Sequence, residues 1–199
     1  MAAMKWWGWG QEGVEFTHED KPALAPFILE SIGVDVRRKG TPPLRFDQLE
    51  IPDPALPDDL WEALEQAVSR RYVSLDPLDR VVHARGKSLR DLVWQRAGDL
   101  PRIPDAVVRP GSEDEVTAIL QAAMRFDAVV IPFGGGSSIS GSLEAPPAET
   151  RPVISVDLER LNQVLEIDAT SRLARVQAGV FGPHLEEQLA ARGYTFGHF

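Results

Sequence analysis

Apolar positions along the chain follow two different periods, and the change falls near Arg102. Upstream the spacing is helical. Within residues 22–33, Leu24, Phe27, Ile28 and Ser31 recur at three- and four-residue intervals, and Gly33 is placed to end the helix. Residues 60–70 put Leu60, Leu64 and Val68 on one face, with Asp58 and Asp59 near the positive end of the helix dipole. A third helix is expected over 89–96, opened by a capping box of Ser88 and Asp91, with Leu89, Leu92 and Val93 as its buried stripe. Between the first two helices, Pro42, Pro43, Pro52, Pro54 and Pro57 predict an ordered, extended linker, because proline restricts itself and the residue before it.

Downstream of Arg102, short β-branched runs alternate with helical spacing. Residues 106–108 predict a strand closed by Pro110. Ser112 and Glu115 form a second capping-box pattern, ahead of Val116, Ile119, Leu120 and Ala123 at helical spacing. Residues 128–131 predict the next strand, ending at Pro132, so that strand, helix and strand make a βαβ unit. A strand over 153–156, a hairpin of 164–168 with 173–177, and a last helix bracketed by Pro183 and Gly193 complete the pattern.

The stretch with the most chemistry follows the second of these strands and reads Pro132, Phe133, Gly134, Gly135, Gly136, Ser137, Ser138. Consecutive glycines let a ligand approach the backbone, and successive free N–H groups form a concave anion site to which Ser137 and Ser138 can add hydroxyls. A diphosphate suits such a site; a plain flexible connection is the rival explanation. Two familiar phosphate loops are excluded. No lysine follows Gly141, as the G-x-x-x-x-G-K-[ST] loop requires, and Ile139 stands where the G-x-G-x-x-G pattern needs its third glycine.

Composition narrows the picture further. A hydrophobic share of 43% in 199 residues fits packed structure, and a net charge of −9 argues against a general nucleic-acid binder. The absence of cysteine removes disulfides, thiolate catalysis and cysteine-bound metal. No segment looks like a signal peptide or membrane span, so a soluble, cytoplasmic protein is expected. Trp6, Trp7 and Trp9 read as a packing anchor. His18, His83, His184 and His198 show no paired metal spacing, and no metal site is expected. Arg37, Arg38 and Lys39 read as solvated. Arg80, Arg85 and Lys87 read as a salt-bridged surface, with a substrate-facing patch as the alternative. Asp157 suits a turn or cap as well as a ligand contact.

Taken in order, the motifs resemble the alkylglycerone-phosphate synthase branch of the FAD-linked oxidases, whose flavin domain is of the PCMH type shared with vanillyl-alcohol oxidase. MKWWGWG is similar to that branch's opening MKWxGWG; Asp79-Arg80-Val81, the run RIPDAVVRP from Arg102 to Pro110, and Pro-Phe-Gly-Gly-Gly-Ser-Ser follow in family order. The loop departs from the family's PIGGGTS in having Phe133 for isoleucine and Ser137 for threonine. Ser155-Val156-Asp157-Leu158, Val176-Gln177-Ala178-Gly179 and Gly193 to His198 continue the match.

The resemblance implies an α+β fold, with an N-terminal helical extension over 1–100 and the first part of an FAD-binding domain over 101–199. It implies that Pro132, Phe133, Gly134, Gly135, Gly136, Ser137 and Ser138 hold the diphosphate of FAD. It also implies exchange of the acyl group of acyl-glycerone phosphate for a fatty alcohol. The family's catalytic residues are expected beyond Phe199, so no catalytic residue is assigned here. Expected partners are a small-molecule or lipid-derived substrate, no nucleic acid, peripheral membrane contact through regions outside these residues, and a second copy in a homodimer. Two other readings stay open: an FAD-linked 2-hydroxy-acid (D-lactate-like) oxidase or dehydrogenase, and a truncated, non-catalytic binding module.

Overall fold

The structure, a computed structural model, describes residues 4–14, 19–38, 40–42, 44–100 and 102–197. Helix α1 (Leu24–Ile32) forms on its apolar spacing and ends at Gly33, whose φ of 71° is cheap only without a Cβ. Helix α2 (Asp58–Val68) buries Leu60, Leu64 and Val68 along the predicted face. A short strand β1 (Val73–Ser74) and helix α3 (Pro77–Val82) follow; α3 starts with a proline in its first turn, where no N–H is needed, and Asp76 caps it. Helix α4 (Leu89–Arg96) carries the full reciprocal capping box of Ser88 and Asp91.

The second half supplies β2 (Ala106–Val108), α5 (Glu113–Arg125), β3 (Val129–Phe133), β4 (Val153–Asp157), the hairpin β5 (Val164–Asp168) with β6 (Leu173–Val176), and α6 (Gly182–Ala190). Four strands form one sheet in the order β1-β2-β4-β3. β2 and β3 both run parallel to β4, so all three finish on the same side; β1 pairs antiparallel with β2.

Alternation along the strands sorts side chains to two faces. Ala106, Val108, Ile154 and Val156 pack with α2 and α5 through Leu60, Leu64, Val68, Ile119 and Ala123. Residues 60–73 thus share a core with the strands beyond residue 100. On the opposite face, Ile131, Phe133 and Val153 pack with Leu143 and Ala145, and a neighbouring cluster joins Trp6, Val81, Val82, Ala84, Leu100 and Ile103.

Asp105 ties the start of this sheet together. Its carboxylate accepts the N–H of Val153 at 2.7 Å and of Ala55 at 2.9 Å, and both terminal nitrogens of Arg102. Burial alone would raise its pKa; the Arg102 bonds and the two amides outweigh that and hold it below the ordinary carboxylate value.

Several expectations are corrected. β3 continues through Pro132 to Phe133 rather than stopping at Pro132. It is an edge strand, where a missing N–H costs no ladder bond. β2 and β3 are not neighbours, because β4 lies between them. Leu89 (81% exposed) and Val93 (57%) do not form a buried stripe on α4; Asp91 and Gln95 are the buried residues there. Leu120 on α5 is likewise exposed. Ser112 caps α5 by accepting from the Glu115 N–H, but the Glu115 carboxylate takes the N–H of Gly111 at 2.6 Å instead of reciprocating. Trp6 is the packing anchor, whereas Trp9 is 52% exposed. Arg80, Arg85 and Lys87 are buried rather than on the surface: Arg80 donates to the carbonyls of Pro52 and Pro104, while Arg85 is salt-bridged as expected, to Glu144 at 3.2 Å. Arg37 and Arg38 are solvated as expected; Lys39, Pro43, His18 and His198 lie outside the described residues.

Candidate functional site

Because β2, β3 and β4 end together, the segments that leave them meet, and a cavity of about 860 Å3 opens there. Such a volume suits a sizeable small molecule, and the carboxyl ends of parallel strands are where open sheets bind ligands. Phe133, Gly134 and Gly135 contribute from β3, Arg109 follows β2, and Asp157 ends β4. α3 adds Asp79, His83 follows at its C-terminal end, and the start of α6 contributes Phe181, Pro183 and His184.

The glycine loop curls over the ring of Phe133. At Gly136, with φ 65°, a Cβ would sit 2.6 Å from that ring, so both the backbone angle and the close approach require glycine. The far end of the loop is fixed from outside: Lys87 donates its N–H to the Ser138 carbonyl at 2.7 Å, and Gly86 lies so near that a Cβ would be 2.0 Å from the same oxygen. Among the described residues, none of the five N–H groups of residues 134–138 donates to a protein acceptor. A row of unpaired donors beside a cavity suits an anion. Phe181, Pro183 and His184 bring the N-terminal end of α6, with its partial positive charge, to the same cavity.

Facing these donors is an ion network. Arg109 makes two bonds to the Asp79 carboxylate, at 2.6 and 2.9 Å, and its Nε lies 3.0 Å from Glu159 and 3.4 Å from Asp157. Burial pushes the Asp79 carboxyl up, but the Arg109 guanidinium more than offsets this and leaves it below its usual value. His83, 2% exposed, sits between the Asp79 carbonyl (Nδ1, 2.7 Å) and Asp157 (Nε2, 3.2 Å). Its ring lies 4.0 Å from that of Phe133. Asp157 takes the cap role that its sequence position allowed, with Oδ1 accepting the Glu159 N–H, and its Oδ2 lies 3.2 Å from His83 Nε2.

Of the seven loop residues singled out from the sequence, Phe133, Gly134 and Gly135 line the cavity. Pro132 is exposed on the edge strand, Gly136 is buried against Phe133, and the Ser138 hydroxyl lies 2.7 Å from that of Ser142. Sequence reasoning did not single out Asp79, Arg109 or Glu159. The four-residue spacing of Asp79 and His83 at the end of α3, and the position of Arg109 just past a strand, were the available signals. It also missed Gly179, where a Cβ would fall 1.6 Å from the Leu158 carbonyl oxygen. Among the described residues no cluster of His, Asp or Glu is arranged to hold a metal.

Comparison with known proteins gives this cavity a context. Residues 104–199 match the family described as an FAD binding domain. The chain is 34% identical to alkyldihydroxyacetonephosphate synthase of Trypanosoma brucei brucei, over 98% of this chain and 35% of that protein. The same enzyme of Dictyostelium discoideum is 37% identical, over 95% of this chain and 28% of the relative. A solved alkyldihydroxyacetonephosphate synthase structure superposes with a TM-score of 0.86 at 32% identity, covering 98% of this chain and 40% of the other. The chain spans about a third of the length of the curated relatives it matches. The cavity fits FAD on its own terms: the N–H groups of Gly134 and Gly135, unpaired among the described residues, and a helix N-terminus suit the diphosphate, and the volume leaves room for more of the cofactor.

Proposed function

We infer, for a chain that is homologous to the alkyldihydroxyacetonephosphate synthases over nearly its whole length and carries an FAD-binding domain, that it forms part of an FAD-dependent enzyme of ether-lipid synthesis. The reaction proposed is replacement of the acyl group of acyl-glycerone phosphate by a fatty alcohol. The observation that carries the reading is the N–H row of residues 134–138, unpaired among the described residues and opening at Gly134 and Gly135 on the cavity, within a chain that matches these synthases over nearly its own length. Neither the 2-hydroxy-acid reading nor the non-catalytic module is better supported.

Bound FAD supplies the reactive ring system, and the protein binds and orients it. In this proposal Gly134, Gly135 and Gly136, with Pro132, Phe133, Ser137 and Ser138, hold the diphosphate through backbone N–H groups, which the α6 N-terminus supports. Gly86 and Lys87 fix the loop's far end through the Ser138 carbonyl. The ion network centred on Arg109 holds the ends of α3, β2 and β4 in register beneath it.

The test is direct. The complete enzyme of which this chain is proposed to form part is supplied with FAD, an acylated glycerone phosphate and a long-chain alcohol, and ether-lipid product is sought by mass spectrometry. Product with release of the fatty acid is expected. FAD uptake without product, together with bleaching of the flavin by D-lactate or another 2-hydroxy acid under anaerobic conditions, would transfer the assignment to the oxidases. The homodimer and the peripheral membrane contact belong to the same proposal, and light scattering and vesicle flotation measure them.

A further inference from the structure

His83 lines the cavity but is not part of the glycine loop, and its environment is unusually complete. Each ring nitrogen meets an oxygen, the Asp79 carbonyl on one side and Asp157 Oδ2 on the other. The charged groups around it come from each neighbouring element: Asp79 on α3, with Oδ1 3.4 Å from Nδ1; Asp157 on β4; Glu159 just after it; and Arg109 after β2, whose Nε shares Asp157 Oδ2 with His83. The ring has little freedom to move.

What His83 touches next is Phe133, at 4.0 Å between ring centroids and 45° between planes. Phe133 is the residue from which the glycine loop departs, and its carbonyl accepts the Leu158 N–H at 2.9 Å. The ring of Phe133 in turn supports Gly136, across a gap that would not admit a Cβ. A contact chain therefore runs from Asp157 through His83 and Phe133 to the middle of the loop, whose N–H groups have no acceptor among the described residues.

We propose that His83 and Phe133 act together as positioning residues for FAD, setting the direction of the loop N–H groups through the packed, tilted ring pair. This rests on the FAD reading above and adds a specific support to it. Phe133 replaces the isoleucine of the family pattern with a flat ring, the shape that a buried imidazole can pack against.

The experiment is titration of the apoprotein with FAD, followed by flavin fluorescence, well below the melting temperature of each variant. His83→Leu is expected to raise Kd about tenfold. His83→Gln, which returns an amide nitrogen toward Asp157, should bring it back to within about threefold of the unaltered protein. Phe133→Leu should weaken binding by itself but add little in the His83→Leu background, because both changes break one contact chain. An unchanged Kd in His83→Leu, or independent effects of the two changes, would overturn the inference while leaving FAD binding intact. If His83→Leu does not fold, Phe133→Leu and His83→Gln decide: full FAD affinity in Phe133→Leu overturns it. Failure of the unaltered protein to bind FAD is a separate result and takes down the functional reading with it.

Discussion

The three segments that leave the carboxyl ends of the parallel strands use their polar groups in two opposite ways. The loop after β3 keeps the N–H groups of residues 134–138 unpaired among the described residues, while Arg109 after β2 and Asp157 and Glu159 at the end of β4 are joined in one network with Asp79. An unpaired donor row costs free energy unless water or a ligand fills it, whereas a closed ion network makes its main contribution by fixing geometry. The difference separates open donors from closed support: the loop after β3 is suited to recognition, as proposed above, and the ion network fixes the strand ends beside it.

Breaking the support at its far end should produce the largest effect. Asp105→Ala leaves two strand N–H groups and the Arg102 guanidinium without their acceptor and is expected to cost about 3–5 kcal/mol by denaturant unfolding. Because the Asp105 and Asp79 carboxyls titrate below their ordinary values, the stability they add is present above roughly pH 4 and is lost as pH falls through their lowered values. Acid unfolding should accordingly be shallower in Asp105→Asn than in the unaltered protein. Next comes Gly179→Ala, which drives a methyl group into the Leu158 carbonyl and should cost about 2–3 kcal/mol in the same measurement.

On the recognition side, Gly135→Val should weaken FAD binding by about tenfold or more with a smaller change in melting temperature. A Cβ there would lie 3.2 Å from the Phe181 ring, and both residues line the cavity. Equal losses of affinity and stability would erase the contrast between the loop and the network.

Lys87 tests the junction between them, since its backbone anchors the loop while its ammonium is buried. Burial pushes its pKa down to about 8, and Asp91 only partly restores it. A lysine lowered on folding destabilises the native state below that value, and the penalty fades as pH rises from about 8 toward the unfolded value near 10.4. Lys87→Met should therefore be more stable at pH 7, by ~1 kcal/mol, with the gap closing above pH 8. The smallest effect is expected at Leu89→Ser, within about 0.5 kcal/mol, because that side chain is in solvent.

Much of the architecture was legible in local sequence. Gly33, Ser88 with Asp91, the proline in the first turn of α3, and Leu60, Leu64 and Val68 act through bonds and spacings within a few residues, which a linear reading captures. The glycine run at 134–136 was legible for the same reason, as was its suitability for an anion. Only the tertiary structure decided which strand would lie between β2 and β3, why Leu89 faces outward while Asp91 and Gln95 are buried, and that His83, Arg109 and Asp157 meet beneath Phe133. Those outcomes depend on contacts between residues far apart in the chain, such as His83 with Asp157, 74 positions away. Local propensity carries no information about such pairs, because their energies exist only once the parallel strands bring their ends to the same side.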